Sequence, residues 1–109
     1  LEFRRVLFRS HELLAYLGPA IGPSAFEVGS DVRDAFAGRA PDATHAFRPG
    51  VPGKWYADLF LLARQALARC GVDRVYGGGL CTVSDPSRFF SYRRDRITGR
   101  MAAMVWRVR

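Results

Sequence analysis

Residues 54–70 read KWYADLFLLARQALARC, and this stretch carries the strongest periodic pattern in the chain. At about 100° per residue its apolar side chains occupy one arc of about 160°, while charged and amide side chains gather on the opposite side. The apolar positions are Trp55, Tyr56, Leu59, Phe60, Leu62, Ala63, Ala66, Leu67 and Cys70. The pattern predicts a helix over 54–70 whose apolar face covers a sheet. We expect Lys54 and Asp58 to form an exposed i, i+4 pair on this helix.

Short apolar runs bounded by glycine or proline lie on both sides of this helix, and such runs predict strands. Upstream they are residues 13–17 and 25–28, and downstream they are residues 72–76 and 101–106. Gly71 supplies the stop after the helix. Strands interleaved with helices predict an α/β or α+β layered fold in which helices cover a mixed sheet.

Two further segments connect the second strand to the long helix. Residues 30–37 predict a short helix, with Ser30 as its N-cap and Gly38 as its stop. Residues 38–53 contain three prolines and three glycines. They therefore predict a surface loop, on which His45 is solvated.

The stretch 77–100, GGGLCTVSDPSRFFSYRRDRITGR, combines features that do not suit a plain core strand. Its three glycines allow close approach of the backbone, and SDP at 84–86 predicts a turn. Guanidinium groups that follow can bind an oxyanion through a fork of two N–H groups. The candidate binding residues are Phe90, Tyr92, Arg93 and Arg94. The alternative is that one arginine pairs with Asp95 and the other is a surface residue.

Basic charge is concentrated toward the end of the chain. The formal net charge is +7 at pH 7, and residues 88–109 hold seven arginines against one acid, Asp95. A local basic cluster indicates an anionic ligand, either a small phosphate-bearing molecule or nucleic acid. Interleaved aromatic side chains keep a nucleic-acid-binding module open as a second hypothesis, which would bind oligonucleotides with a steep salt dependence.

Composition disfavours several other classes of protein. A chain of 109 residues that is 49% hydrophobic is enough for one small folded domain. Cys70 and Cys81 are too few for a disulfide framework and predict reduced thiols in a cytoplasmic protein. Metal-ligand spacings such as CxxC are absent and only His11 and His45 are present, so we expect no complete metal site in this chain. No apolar run approaches the ~18 residues of a membrane span, so we expect no membrane partner.

The first ten residues, LEFRRVLFRS, resemble the translation of a sequencing-library adapter of the kind found at the broken ends of metagenomic reading frames. We therefore expect residues 1–10 to be an adapter-derived artefact that precedes native sequence over 11–109. A natural amphipathic start is the alternative, in which Phe3, Leu7 and Phe8 are core residues.

Four phrases of the sequence stand out, in this order: LGPAIGPSAFEVG at 17–29, GKWYADLFLLARQAL at 53–67, GGGLCT at 77–82 and FFSYRRDRITGRMAAMVW at 89–106. Together they resemble the C-terminal half of the YfiH family, also called the multicopper polyphenol oxidase (laccase-type) or peptidoglycan editing factor family. The resemblance implies that residues 11–109 are the C-terminal half of a single YfiH-like domain. The fold it implies is a partial α/β/β/α sandwich, whose missing N-terminal half is the expected partner of this chain.

The resemblance also implies the activities described for the family. Members are described as zinc-dependent purine nucleoside phosphorylases that act on adenosine, inosine and methylthioadenosine, with adenosine deaminase activity. Older descriptions give copper-dependent oxidation of phenols, and removal of wrongly incorporated serine from peptidoglycan precursors is a third. The expected ligands are thus a purine nucleoside and phosphate, with nucleic acid disfavoured, and the three descriptions stay open.

In the family the metal-binding and catalytic residues are two histidines and a cysteine, in phrases like ADCLP and HAGWRG, and neither phrase occurs here. Cys81 belongs to a different phrase, so the catalytic role is not transferred to it. We expect no catalytic residue and no bound zinc in this chain, which alone would be inactive. The resemblance implies instead a substrate wall, with Arg93 and Arg94 toward phosphate and Tyr92 or Phe90 against a base or ribose.

Overall fold

The computed structural model describes residues 13–101. In chain order the elements are β1 (Ala15–Leu17), β2 (Glu27–Gly29), α1 (Ser30–Arg39), a 3₁₀ helix (Pro41–Ala46), β3 (Phe47–Pro49), β4 (Lys54–Ala57), α2 (Leu59–Arg69), β5 (Val75–Gly77) and α3 (Tyr92–Asp95). The predicted α/β class is confirmed, since helices accompany one parallel and one antiparallel sheet. Within the described residues, no helix combines the length and the apolar character that a membrane crossing requires.

The core lies on one face of the antiparallel sheet, whose strand order is β2-β4-β3. Side chains alternate between the two faces of a strand. The register places Val28 opposite Trp55, and Phe47 opposite Ala57, on the same face. Apolar side chains of α1, α2 and the 3₁₀ helix pack against that face. The core therefore lies between one face of this sheet and the helices that pack against it.

The predicted helix over 54–70 is wrong in its first turn, because β4 occupies Lys54–Ala57 and α2 begins only at Leu59. Asp58 is the N-cap of α2, and its carboxylate accepts a hydrogen bond from the backbone N–H of Leu61 at 3.0 Å. The proposed ion pair of Asp58 with Lys54 is therefore also wrong. Trp55 and Ala57 face the core with the period of two that is typical of a strand. The prediction missed this short strand because Trp55 and Tyr56 also fit the helical pattern of the residues that follow.

The predicted surface loop over 38–53 is wrong, because this segment supplies much of the core. It contains the end of α1, the 3₁₀ helix and β3, and its buried residues are Ala40, Ala43, Ala46 and Phe47. Gly38 lies inside α1 instead of ending it, and Gly29, not Ser30, is the N-cap of α1. His45 is exposed, as expected. Small alanines in a tight 3₁₀ turn explain how a segment rich in breakers can still be buried.

The second sheet pairs β1 with β5 in parallel, with Leu17 next to Gly77 in the register. The predicted strands in 13–17, 25–28 and 72–76 are confirmed, with bounds that differ by up to three residues. Gly71 adopts a φ of 82° after α2, as a residue that ends a helix in the left-handed region does. The predicted strand over 101–106 lies outside the described residues except for Met101, which is not in a strand.

Candidate functional site

The segment that follows β5 folds back across the end of the antiparallel sheet through two short turns. The turn predicted at 84–86 lies at 86–88 and begins at Asp85, whose carboxylate accepts hydrogen bonds from Ser87 and Arg88. Its carbonyl accepts from the backbone N–H of Phe89 at 3.1 Å. Ser91, which is buried, then caps α3, and its hydroxyl accepts from the backbone N–H of Arg94 at 3.3 Å. These caps place the side chains of α3 against the loop 96–101.

A cleft of about 680 Å³ opens between α3, the loop 96–101 and the start of β2. Its lining residues are Ile21, Phe26, Thr82, Phe90, Ser91, Tyr92, Arg93, Arg96, Ile97, Thr98, Gly99, Arg100 and Met101. None of these lining residues is acidic, and three of them are arginines. The cleft thus combines apolar walls, hydroxyl groups and unopposed positive charge, which suits a planar or sugar-like ligand that carries an anion.

Three of the four predicted binding residues, Phe90, Tyr92 and Arg93, line this cleft. The rings of Phe90 and Tyr92 are exposed, with relative accessibilities of 52% and 60%. Phe90 lies over Gly99, where a Cβ atom would come within 2.9 Å of the ring. Gly99 is therefore the residue that lets the Phe90 ring form a wall of the cleft.

Arg93 reaches from α3 back to β2. One of its N–H groups donates to the carbonyl of Glu27 at 3.0 Å, and its guanidinium lies 5.4 Å from the centre of the Phe26 ring. Its Nε and Nη2 groups have no hydrogen-bond partner among residues 13–101. The side chain is thus held at one end and has donors left for an anion in the cleft.

Arg94, the fourth predicted residue, points away from the cleft and into the fold. Its Nη1 donates to the carbonyls of Thr82 and Val83, and its Nη2 donates to the carbonyl of Phe89 at 2.9 Å. Its Nε and Nη2 also donate to the carboxylate of Asp95 at 3.0 and 2.7 Å. All five N–H donors of the guanidinium are occupied, so Arg94 ties two loop segments, at 82–83 and at Phe89, to α3.

The Arg94 pair also sets the ionisation of Asp95, because hydrogen bonds and charge from Arg94 lower the pKa of the Asp95 carboxyl below its usual value. A depressed pKa contributes stability above the ordinary Asp pKa of about 3.9, and that contribution is lost as the pH falls through the lower folded value.

We therefore expect Asp95→Asn to be less stable than the wild type at pH 7, with a difference that shrinks once the pH falls below about 4. Urea unfolding of both proteins over a series of pH values checks this. A difference that stays constant into the acid range would show that the Asp95 carboxylate does not contribute through its charge.

Cys81 is held by hydrogen-bond donors next to the cleft. Its Sγ accepts from the backbone N–H of Gly22 at 3.1 Å and from the hydroxyl of Ser84 at 3.3 Å. Burial raises the pKa of the Cys81 thiol, but the bonds from Ser84, Gly22 and Val83 together outweigh it, so the pKa is lowered. Cys81 also pairs with Ala20 in a parallel bridge that joins the loops after β1 and β5.

No group of three or more histidine, cysteine, aspartate or glutamate side chains suited to a metal ion occurs within residues 13–101. The residues there do not fit the zinc or copper that the resemblance implies, so no chemical step is derived through a metal. Sequence reasoning missed Phe26 and Arg96 as cleft residues. Arg96 belongs to the basic cluster over 88–109, which was a usable signal, whereas Phe26 lies far upstream in the sequence and had none.

Comparison with known proteins gives three kinds of match. The profile of the family described as multi-copper polyphenol oxidoreductase laccase matches residues 2–108. A purine nucleoside phosphorylase of Xylella fastidiosa is 58% identical over 96 residues, which cover 86% of this chain and 37% of that protein. The purine nucleoside phosphorylase YfiH of Escherichia coli K12 is 52% identical over 94 residues, or 86% of this chain and 38% of that protein.

Two crystal structures resemble the fold. The hypothetical protein YfiH of Bacillus licheniformis superposes with a TM-score of 0.77 at 31% identity, over 86% of this chain and 36% of that one. A Neisseria meningitidis protein superposes with a TM-score of 0.71 at 57% identity, over 73% of this chain and 33% of that one. The chain thus spans between 33% and 38% of the length of these four proteins.

Proposed function

Because this chain belongs to the YfiH family, the family of multi-copper polyphenol oxidoreductase laccases, we propose that it provides the substrate wall of a purine nucleoside phosphorylase. The substrates we propose are adenosine, inosine and methylthioadenosine, with inorganic phosphate as the nucleophile. Relatives named as purine nucleoside phosphorylases, at 58% and 52% identity, support the proposal.

The observation that carries the proposal is the cleft in which exposed aromatic rings lie beside an arginine with free donors. Phe90 and Tyr92 offer ring faces for stacking on a purine or ribose. Arg93 offers Nε and Nη2 to an oxyanion, and no acidic residue among the lining residues competes for it. A purine nucleoside would contact the aromatic rings of the cleft, and a phosphate beside it would contact Arg93.

In the proposed reaction, a phosphate oxygen attacks the anomeric carbon of the ribose. A C–O bond forms, the glycosidic C–N bond breaks, and the purine leaves with the electron pair of that bond and takes up a proton. Arg93 would hold the phosphate in position and balance its charge as it approaches. Because the guanidinium is already fixed by Glu27 and Phe26, little reorganisation accompanies this step.

Zinc dependence and adenosine deaminase activity are parts of the same proposal. We assign the zinc to residues of the complete enzyme outside 13–101, and phosphate binding to the cleft described above. Deamination replaces the purine amino group by an oxygen atom from water, releases ammonia and uses no phosphate, so it depends less on Arg93. A change in the cleft should therefore affect phosphorolysis more than deamination, whereas loss of the zinc should affect both reactions.

The test is a chimera in which this sequence replaces the matching segment of the Xylella fastidiosa relative. Lysine keeps the charge of Arg93 but loses the fork of parallel N–H groups. Arg93→Lys is expected to lower kcat/KM for inosine phosphorolysis roughly ten- to a hundredfold and to change adenosine deamination little.

Arg94→Lys is the matched control, because its donors are used inside the fold. We expect it to lower both reactions together with thermal stability, without selectivity for phosphorolysis. Equal loss of both activities in Arg93→Lys would mean that Arg93 is structural and that the phosphate lies elsewhere. Absence of phosphorolysis in the unmutated chimera would contradict the proposed function itself.

Two other activities of the family are alternatives. Phenol oxidation is favoured by the description of the matching family, and oxidation of a phenol by the copper-loaded chimera would support it. Release of serine from a peptidoglycan precursor would support the editing activity. A nucleic-acid-binding role predicts a steep salt dependence of oligonucleotide binding, which a phosphorylase does not require.

A further inference from the structure

Arg96 has an unusual backbone for an arginine. Its φ of 66° and ψ of −53° form a γ-turn, closed by a hydrogen bond of 2.7 Å from the N–H of Ile97 to the carbonyl of Asp95. Among residues 13–101 it is the one non-glycine residue with positive φ. Such a conformation is rare and costly, and residues kept in it are often found at functional sites.

The side chain of Arg96 also differs from those of Arg88 and Arg94. Arg88 pairs with Asp85 and Arg94 pairs with Asp95, whereas Arg96 has no carboxylate or carbonyl partner among the described residues. Its guanidinium lies 5.7 Å from the centre of the Tyr92 ring, on the wall of the cleft. Its N–H donors are thus available to a ligand.

Taking the proposed function as given, we infer that Arg93 and Arg96 together form a two-guanidinium site for a phosphate group in this cleft. Both residues line it, because Arg93 lies within α3 and Arg96 is the C-cap of that helix, three positions further on. Each guanidinium lies over an aromatic ring that also lines the cleft, Phe26 for Arg93 and Tyr92 for Arg96. A ring contact on the flat face leaves the N–H groups at the edge free to bind oxygen.

The charge of the ligand explains why two arginines are needed. A phosphate monoester carries about −1.5 to −2 charges at pH 7, so one guanidinium leaves it only partly neutralised. The ligand class is therefore a phosphate, either inorganic phosphate or a sugar phosphate formed by phosphorolysis. In this arrangement Arg94 sets the position of the turn, and Arg96 takes the ligand contact.

The test measures binding of inorganic phosphate and of ribose 1-phosphate to the 109-residue chain by calorimetry at constant ionic strength. Arg96→Gly is the informative variant, because glycine accepts positive φ and removes only the side chain. We expect it to keep the fold and to raise Kd for inorganic phosphate roughly ten- to a hundredfold. Arg96→Lys should fall between Arg96→Gly and the wild type.

Arg69→Gln serves as the charge-matched control, since Arg69 lies on α2 and faces Asp42 outside the cleft. An equal rise in the Kd for inorganic phosphate in Arg69→Gln and Arg96→Gly would overturn the inference, because the loss of binding would then follow from the net charge of the protein. Unchanged binding in Arg96→Gly, or no phosphate binding by the wild type, would also overturn it. Tighter binding of ribose 1-phosphate than of inorganic phosphate would identify a sugar phosphate as the preferred ligand.

These outcomes are independent of the proposed reaction, because no turnover is measured. Phosphate binding that depends on Arg96, in a protein whose chimera shows no phosphorolysis, would leave the site standing and remove the proposed function. Phosphorolysis without any contribution from Arg96 would support the proposed function and remove the two-guanidinium site.

Discussion

Gly77→Ala is expected to destabilise the fold by about 2–5 kcal/mol, from left-handed strain and a backbone clash together. Gly77 has a φ of 82°, which side-chain-bearing residues rarely adopt. A Cβ atom there would lie 2.5 Å from the carbonyl oxygen of Leu17, its partner in the parallel sheet. Because that contact is with backbone, relief would require β1 and β5 to separate.

Two other glycines separate the causes of this loss. Gly53 shares the positive φ but has open space around its Cβ position, so Gly53→Ala measures the strain alone. Gly79 has neither the positive φ nor a close neighbour, and Gly79→Ala is expected to stay within about 0.5 kcal/mol of the wild type. Urea unfolding of the three variants checks this order, and equal losses in Gly77→Ala and Gly53→Ala would contradict the clash.

Phe47→Ala is expected to cost about 3–5 kcal/mol, the usual range for removing a buried aromatic ring from a core. Phe47 is 7% exposed and lies opposite Ala57 in the sheet. Its ring centre is 6.0 Å from that of Phe36. Small alanines in the neighbouring 3₁₀ helix cannot expand into the space, so a cavity should remain.

Phe36→Ala is the matched control, because the same ring is removed from a side chain that is 38% exposed. Its loss should be clearly smaller, since less apolar surface is buried there. The difference between the two variants in urea unfolding is the quantity of interest. A cost below about 1 kcal/mol for Phe47→Ala would mean that residues 38–53 are the surface loop that their composition suggests.

The boundary between β4 and α2 illustrates what local patterns can and cannot specify. Trp55 and Tyr56 fit a helical arc, while Trp55 and Ala57 fit strand alternation, so periodicity alone does not separate a helix from a strand here. The choice depends on pairing with the neighbouring strand β3 and with β2, which lies far upstream in the sequence. Once those strands pair, Asp58 becomes the first residue that can cap a helix.

Arg93 and Arg94 make the same point for the candidate site. Adjacent in sequence and alike in chemistry, they were predicted to serve the same ligand. On the short helix α3 consecutive side chains diverge by about 100°, so one arginine turns to the cleft and its neighbour to the interior. The acceptors that occupy Arg94 include the carbonyls of Thr82 and Phe89, which only the folded loops bring together.

The sequence by itself determined the α/β class, the end of α2 at Gly71, the positions of β1, β2 and β5, and the family, because these depend on local breakers, short apolar runs and contiguous phrases. Only the tertiary structure decided that 38–53 is core, that 54–57 is a strand, and that the cleft gathers Phe26, Arg93 and Arg96. Each of these depends on partners distant in the chain, such as Glu27 for Arg93. Burial and hydrogen bonding between distant segments have no local signature, so the folded chain alone sets them.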